Sequence, residues 1–111
     1  INEKVECPSH LSHHKNNLFA IRVNGESMNK VLPNNSMVIC VKTDEKPQNG
    51  QIVVYKNGSD YNLKLFTETE NLVIFEPMSF DDSYESIVYK KSEDIDIEII
   101  GTVKYNCMNF K

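Results

Sequence analysis

Turn-forming residues interrupt this chain about every ten positions, and short runs of strand-forming residues lie between them. The strongest turn signals are Asn24-Gly25, Asn34-Asn35-Ser36, residues 46–50 and Asn57-Gly58. Runs this short do not supply the three turns of an average helix, whereas they match the usual length of a β-strand. The sequence therefore predicts an all-β domain.

Seven runs are the candidate strands, and one of them has an unusual composition. Met37–Lys42 is almost continuously apolar, which is typical of a strand buried on both faces. The other candidates are Leu18–Val23, Gln51–Lys56, Tyr61–Phe66, Asn71–Phe75, Ile87–Tyr89 and Ile95–Tyr105.

Three local features complete this prediction. Asn57-Gly58 predicts a hairpin turn, because Asn and Gly tolerate the positive φ angles that such turns need. Gly101 interrupts the last run and indicates a bulge or a bend. Residues 26–31 precede Pro33 and are expected to form one helical turn.

Length and charge limit the classes of function that fit. A chain of 111 residues fits one domain, and its net charge of −4 argues against nucleic-acid binding by this segment, since phosphate binding needs a basic face. Any DNA contact would belong to a part of the parent protein that is absent here. No apolar run approaches the roughly 18–20 residues that span a bilayer, so no membrane contact is expected.

The cysteines and histidines do not predict a cofactor or a metal. Cys7, Cys40 and Cys107 are odd in number and widely spaced, which argues against a disulfide scaffold and favours a reducing cytoplasm. His10, His13 and His14 lie in the polar segment 1–16, and a metal site would need further ligands. We interpret residues 1–16 as a polar arm.

Two residues are candidates for chemistry, and each has an ordinary alternative. Ser27 follows Gly25 in a turn, where serine is usually a turn residue or a helix cap. Lys64 alternates with Leu63 and Leu65, so it leans away from a core on the leucine face, toward either solvent or a cleft. As a general base it would have to lose a proton from a pKa of about 10.4, and desolvation would lower that pKa.

Five segments, in order, resemble the LexA-like self-cleaving repressors of peptidase family S24. The strand–turn–serine segment of that family commonly reads V-x-G-x-S-M, as in Val23–Met28 here. The other similar segments are Pro33–Val41, Asn49–Val54, Asn62–Leu65 and Glu98–Val103, and the resemblance covers residues 18–105. This chain departs from the family at Asn35-Ser36, where Gly-Asp is frequent, and at Leu65, where Arg is common.

The resemblance implies a fold, a division of the chain and a set of roles. The fold would be a LexA- and signal-peptidase-like domain of short, strongly bent strands. Residues 17–111 would form the catalytic and dimerisation domain, and residues 1–16 a remnant of the linker. Ser27 would be the nucleophile, Lys64 its general base, the backbone N–H groups of Ser27 and Glu26 the oxyanion donors, and Met28 part of the groove.

The resemblance also implies where cleavage would occur. The family usually cuts its own linker at Ala-Gly or Cys-Gly, and neither pair is present, since Ala20 is followed by Ile21. We therefore expect the scissile bond upstream of Ile1, with this chain being a cleavage product or a fragment that begins beyond the site.

These observations favour the C-terminal dimerisation and self-cleavage domain of a phage or mobile-element repressor in the bacterial cytoplasm. A RecA filament would stimulate cleavage of the linker, the C-terminal strand region would form the homodimer, and an absent N-terminal domain would bind DNA. One alternative is a non-cleaving dimerisation module bound by an antirepressor protein, and another is a UmuD-like polymerase accessory subunit. The acidic clusters at 81–85 and 93–98 are either solvated edges or a surface for docking a partner.

Overall fold

Seven antiparallel strands form one sheet, as the spacing of turns predicts. The computed structural model describes residues 9–14 and 16–107. The strands are β1 (Leu18–Arg22), β2 (Met37–Lys42), β3 (Ile52–Asn57), β4 (Asp60–Glu68), β5 (Leu72–Glu76), β6 (Ile87–Lys90) and β7 (Ile97–Cys107). The all-β prediction is confirmed: each candidate strand is present, Met37–Lys42 with its predicted bounds and the others with bounds that differ by at most two residues.

The last strand of the chain lies inside the sheet. The strand order is β1-β2-β7-β3-β4-β5-β6, so β7 pairs with β2 on one side and with β3 on the other. The hairpin β1–β2 and the meander β3–β6 are therefore joined through the sheet only by β7. At the crossing point Gly101 pairs with both Lys42 and Val54.

The bend predicted near Gly101 is a β-bulge. Val54 pairs with Gly101 and Tyr55 with Ile99, which leaves Ile100 as the extra residue. Glycine is required at 101 because a Cβ there would overlap the carbonyl oxygen of Val41. A second bulge, at Lys104, interrupts the pairing of β7 with β2. Two bulges in one strand explain how β7 bends between its two neighbours.

The core consists of two hydrophobic clusters. The first joins the segment after β1 to strands β2 and β3, through Val23, Met28, Leu32, Val38, Cys40 and Val54. The second lies along β3, β4 and β5, through Val53, Tyr55, Phe66 and Phe75. Val38–Val41 are all buried, which confirms the prediction of a strand covered on both faces.

The predicted hairpin exists, but its turn is one residue later than expected. Asn57 pairs with Asp60 at the end of β3, so the two turn residues are Gly58 and Ser59. Gly58 has a φ of 63°, whereas Asn57 has no positive φ. The strand pairing continues through Asn57, and glycine alone supplies the left-handed conformation.

Part of the predicted arm lies outside the described residues, since residues 1–8 and 15 are not described. Ser9–His14 form a short 3-10 helix in which Leu11 is buried. Within the described part of the chain, no helix has the length and apolar character needed to cross a membrane.

Candidate active site

The turn that carries Ser27 is built from two loops that hold each other. Val23 exchanges backbone hydrogen bonds with the 35–36 turn: its N–H donates to Ser36 and its carbonyl accepts from Asn35, both at 2.8 Å. Gly25, with a φ of 110°, donates its N–H to the Asn34 side chain at 2.8 Å. The reversal that presents Ser27 is therefore fixed by backbone geometry and by a neighbouring asparagine.

Asn35 explains one departure from the family pattern. Its φ is 69°, the left-handed region that favours glycine, and asparagine is among the few other residues that enter it readily. Asn35 thus occupies the position where glycine is frequent without changing the turn. Ser36 next to it is buried and donates its hydroxyl to the Pro33 carbonyl at 2.6 Å.

Where the sequence predicts one helical turn over residues 26–31, the chain makes hydrogen-bonded turns that extend to Leu32 and do not continue as a helix. The N–H groups of Val31 and Leu32 both donate to the Met28 carbonyl, at 3.0 and 2.7 Å. Met28 and Leu32 are buried in the first core cluster. These two side chains anchor the turn to the core, and Ser27 stands at its beginning.

The segment after β5 clamps the serine turn from the other side. The Met78 N–H donates to the Ser27 carbonyl, and the Lys30 N–H donates to the Met78 carbonyl, both at 2.9 Å. The Phe80 N–H donates to the Asn29 side chain, also at 2.9 Å. The sequence gives no local signal for this clamp, because its partners are about fifty positions apart and most of its bonds use backbone groups.

The structure brings Lys64 to Ser27. Lys64 Nζ donates to Ser27 Oγ at 2.9 Å and to the Leu63 carbonyl at 3.1 Å. Both faces of β4 are covered, since Leu63 packs on the first cluster and Phe66 belongs to the second. Lys64 is consequently half-buried beside a cleft, rather than extended into solvent.

Burial without a countercharge changes the acidity of this lysine. Desolvation lowers the pKa of Lys64 below its ordinary value, because burial penalises the charged ammonium. Among the described residues no carboxylate forms an ion pair with it. A neutral amine at this position can accept the proton of the Ser27 hydroxyl, while its own N–H continues to donate to Leu63.

Backbone N–H groups are available next to the serine oxygen. Within residues 9–14 and 16–107, the N–H groups of Glu26, Ser27 and Met28 donate to no protein group. They lie at the start of a helical turn, where the first N–H groups have no partner inside the turn. Such donors can stabilise an oxyanion that develops on a carbonyl attacked by Ser27.

The serine and the lysine share a small cleft with two strand ends. The cleft has a volume of about 90 Å³ and is lined by residues 21–25, 27–28 and 61–64. Residues 60–64 of β4 pair with β3, and β5 begins to pair only at Leu65. The described sheet therefore leaves one backbone edge of β4 unpaired beside the cleft. Met28 lines the cleft while remaining 1% exposed, so it forms the floor of this cleft.

The cysteine and histidine residues that the structure describes do not contribute to this site. Cys40 is fully buried, and burial raises the pKa of its thiol to about 12, which makes it unreactive. Among the residues that the structure describes, no three His, Cys, Asp or Glu side chains are grouped closely enough to hold a metal. The His13 side chain lies outside the described residues.

Comparison with known protein families gives a match to this chain. The family model described as Peptidase S24-like matches residues 1–104, which is nearly the whole chain and includes Ser27 and Lys64. A comparison with curated proteins gave no match.

Proposed function

Because this chain belongs to the S24-like peptidase family, we propose that it is the self-cleaving and dimerising domain of a transcriptional repressor, with Ser27 as nucleophile and Lys64 as general base. The observation that carries the proposal is the 2.9 Å distance between Lys64 Nζ and Ser27 Oγ. An activated serine needs a base within hydrogen-bond reach, and here the base is a lysine with a lowered pKa.

Cleavage would proceed in two steps. Neutral Lys64 takes the hydroxyl proton while Ser27 Oγ bonds to the scissile carbonyl carbon, and the N–H groups at 26–28 hold the resulting oxyanion. The C–N bond then breaks, and the new amine leaves with the proton carried by Lys64. Water, deprotonated by Lys64, attacks the ester and releases Ser27.

The substrate would be an extended segment of the same protein, upstream of Ile1. The unpaired edge of β4 at residues 60–64 supports this, because an extended segment adds main-chain hydrogen bonds along such an edge. A peptide lying there would pass the Ser27–Lys64 pair and displace water from it. Removing that water lowers the pKa of Lys64 further and favours its role as a base.

The biological setting belongs to the same proposal. Cleavage would separate a DNA-binding head from its dimerising domain, and the lost avidity on a two-fold operator would relieve repression. The inducing partner would be a RecA filament. The homodimer would use the end of β7, where residues 103–107 pair with β2 alone and leave an edge unpaired in the described sheet.

The test is self-cleavage of the full gene product, followed by intact mass at about pH 7 and about pH 10. We expect faster cutting at the higher pH and none in Ser27→Ala or Lys64→Ala. Ser59→Ala and Lys56→Ala, which change the same residue types in the β3–β4 hairpin, serve as matched controls and should cut normally. Continued cutting at the same bond in Ser27→Ala would remove this serine from the mechanism.

The same experiment separates the alternatives. An intact product at both pH values and with activated RecA would favour a non-cleaving module bound by an antirepressor. A cleaved product whose N-terminal part is a short arm, instead of a DNA-binding head, would favour a polymerase accessory subunit of the UmuD type.

A further inference from the structure

We infer that the sheet edge formed by β6 and the segments on either side of it, residues 80–94, docks a basic, extended segment of another protein. We call this surface the acidic edge. The inference does not depend on cleavage by Ser27.

Acidic side chains outnumber basic ones in the acidic edge. This stretch contains five acidic residues and two lysines, so its charge is −3, compared with −4 for the entire chain. Its acidic residues, all exposed, are Asp81, Asp82, Glu85, Glu93 and Asp94. One of the two lysines, Lys91, is already paired with Glu68 at 3.3 Å.

Apolar side chains are exposed in the same stretch. Of seven large hydrophobic residues that are exposed in the described structure, four fall between positions 80 and 88. Phe80 is 77% exposed and Val88 is 52% exposed; the others are Tyr84 and Ile87. A strand edge that is merely solvated carries charged side chains, whereas a group of exposed apolar ones indicates a contact surface.

Part of the backbone edge of β6 is available to a partner. β6 is the last strand of the described sheet, and it pairs with β5 alone through Ile87–Phe75 to Lys90–Leu72. At Lys90 the N–H donates to the Glu93 carboxylate and the carbonyl accepts the Glu93 N–H, so an added strand would pair along the part of β6 before Lys90. Main-chain hydrogen bonds would give affinity, and alternate side chains of the added strand would meet the exposed apolar and acidic groups.

Charge decides which occupant fits this edge. A second copy of the chain would bring another charge of −3 against the first, and like charges at an interface cost free energy. A partner strand in which lysine or arginine alternates with aliphatic residues can make all three kinds of contact. Its backbone hydrogen-bonds to β6, its aliphatic side chains pack on the exposed apolar ones, and its cations pair with the carboxylates. The occupant is thus a basic segment of a different protein.

The test uses a synthetic peptide of about six residues, a usual strand length, in which lysine alternates with valine. Binding is measured by fluorescence anisotropy and mapped by amide chemical shifts of the whole chain. We expect shifts at residues 86–91 and an affinity that falls with added salt. A peptide with glutamate for lysine, and one with proline for valine to remove N–H donors, should not bind.

Matched double variants of the chain locate the site. Asp82→Lys with Glu85→Lys should weaken binding tenfold or more, whereas Asp44→Lys with Glu45→Lys, an equal charge change in another exposed turn, should leave it within about twofold. Equal loss in both variants, binding of the glutamate peptide, or shifts confined to another surface would overturn the inference. Concentration-dependent shifts of β6 without any peptide would assign the edge to a second copy and also overturn it.

Discussion

Lys64 Nζ lies 2.9 Å from Ser27 Oγ, although the two residues are 37 positions apart, with Lys64 on β4 and Ser27 in the turn that follows β1. The same amine also donates to the Leu63 carbonyl. Among the described residues it has no carboxylate partner, and burial lowers its pKa below the ordinary lysine value. The expected consequences concern both reactivity and stability.

The reactivity of Ser27 should rise with pH and level off above the lowered pKa of Lys64. Below that pKa the amine is protonated and accepts no proton, whereas above it the amine is free to act as a base. Acylation by a β-lactone, followed by intact mass and peptide mapping, measures this directly. The midpoint should lie below about 10.4, the ordinary lysine pKa. Lys64→Arg stays charged and should show no rise; a rate that is independent of pH in the unmodified chain would contradict the assignment.

Replacing Lys64 by methionine should preserve or raise stability at neutral pH while abolishing reactivity. In the folded chain the pKa of Lys64 is lowered, so the unfolded chain binds this proton more tightly. The free energy of unfolding should therefore rise with pH between the lowered pKa and about 10.4, and Lys64→Met should remove that rise. Urea unfolding at several pH values checks this, with Lys56→Met as control. A variant less stable than the original chain at every pH would show that the ammonium is stabilising.

Asn29→Ala should loosen the turn that carries Ser27. Its side chain accepts the Phe80 N–H at 2.9 Å and donates to Glu26 at 3.0 Å, so two hydrogen bonds are lost. We expect a stability loss of roughly 0.5–1.5 kcal/mol per bond, together with slower acylation of Ser27. Asn71→Ala, at an exposed asparagine in the turn between β4 and β5, is the control. Unchanged acylation in Asn29→Ala would show that the contact of Met78 with Ser27 suffices to hold the turn.

Gly101→Ala should destabilise the whole domain. The added Cβ would overlap the Val41 carbonyl at the point where β7 crosses between its neighbours. Overpacking of this kind costs roughly 1–3 kcal/mol, and the obstacle here is backbone that cannot rotate away. Urea unfolding measures the loss. Gly58→Asn is the control, because its φ of 63° suits asparagine and no atom lies within 4 Å of an added Cβ. Equal effects at both positions would refute the steric explanation.

Asn35→Gly should be tolerated, whereas Asn35→Val should not. The φ of 69° costs a β-branched residue about 1–2 kcal/mol and costs glycine nothing. The Val variant should also displace the 35–36 turn from Val23, and with it the approach to Ser27. Thermal unfolding and the acylation rate of both variants check this. A valine variant as stable as the glycine variant would mean that the turn refolds into another conformation.

The sequence predicts the local part of this structure better than the long-range part. Turn residues and apolar runs locate every strand, because alternation and φ preferences act over a few residues. The sequence predicts a turn at Asn57-Gly58, one residue before the observed turn at Gly58-Ser59, because strand pairing extends through Asn57. Two features depend on contacts between segments that are distant in sequence: Met78 holds the serine turn, and β7 lies between β2 and β3. Local sequence patterns do not predict either of them. The alternation on β4 does not decide whether Lys64 faces solvent or a cleft. Alternation distinguishes a core face from a solvent face, and here both faces of the strand are packed.

Because β7 is the last strand to be translated, its position inside the sheet affects how this domain assembles during synthesis. Ser27 follows β1 and Lys64 lies on β4, and in the described sheet the strands on these two sides are connected by β7. Residues 97–107 are translated after both sides, so strand pairing across the sheet is completed last. Until then the two sides can meet through contacts such as those of Ser27 and Lys30 with Met78, and the sheet gains its full connectivity only when β7 pairs with β2 and β3.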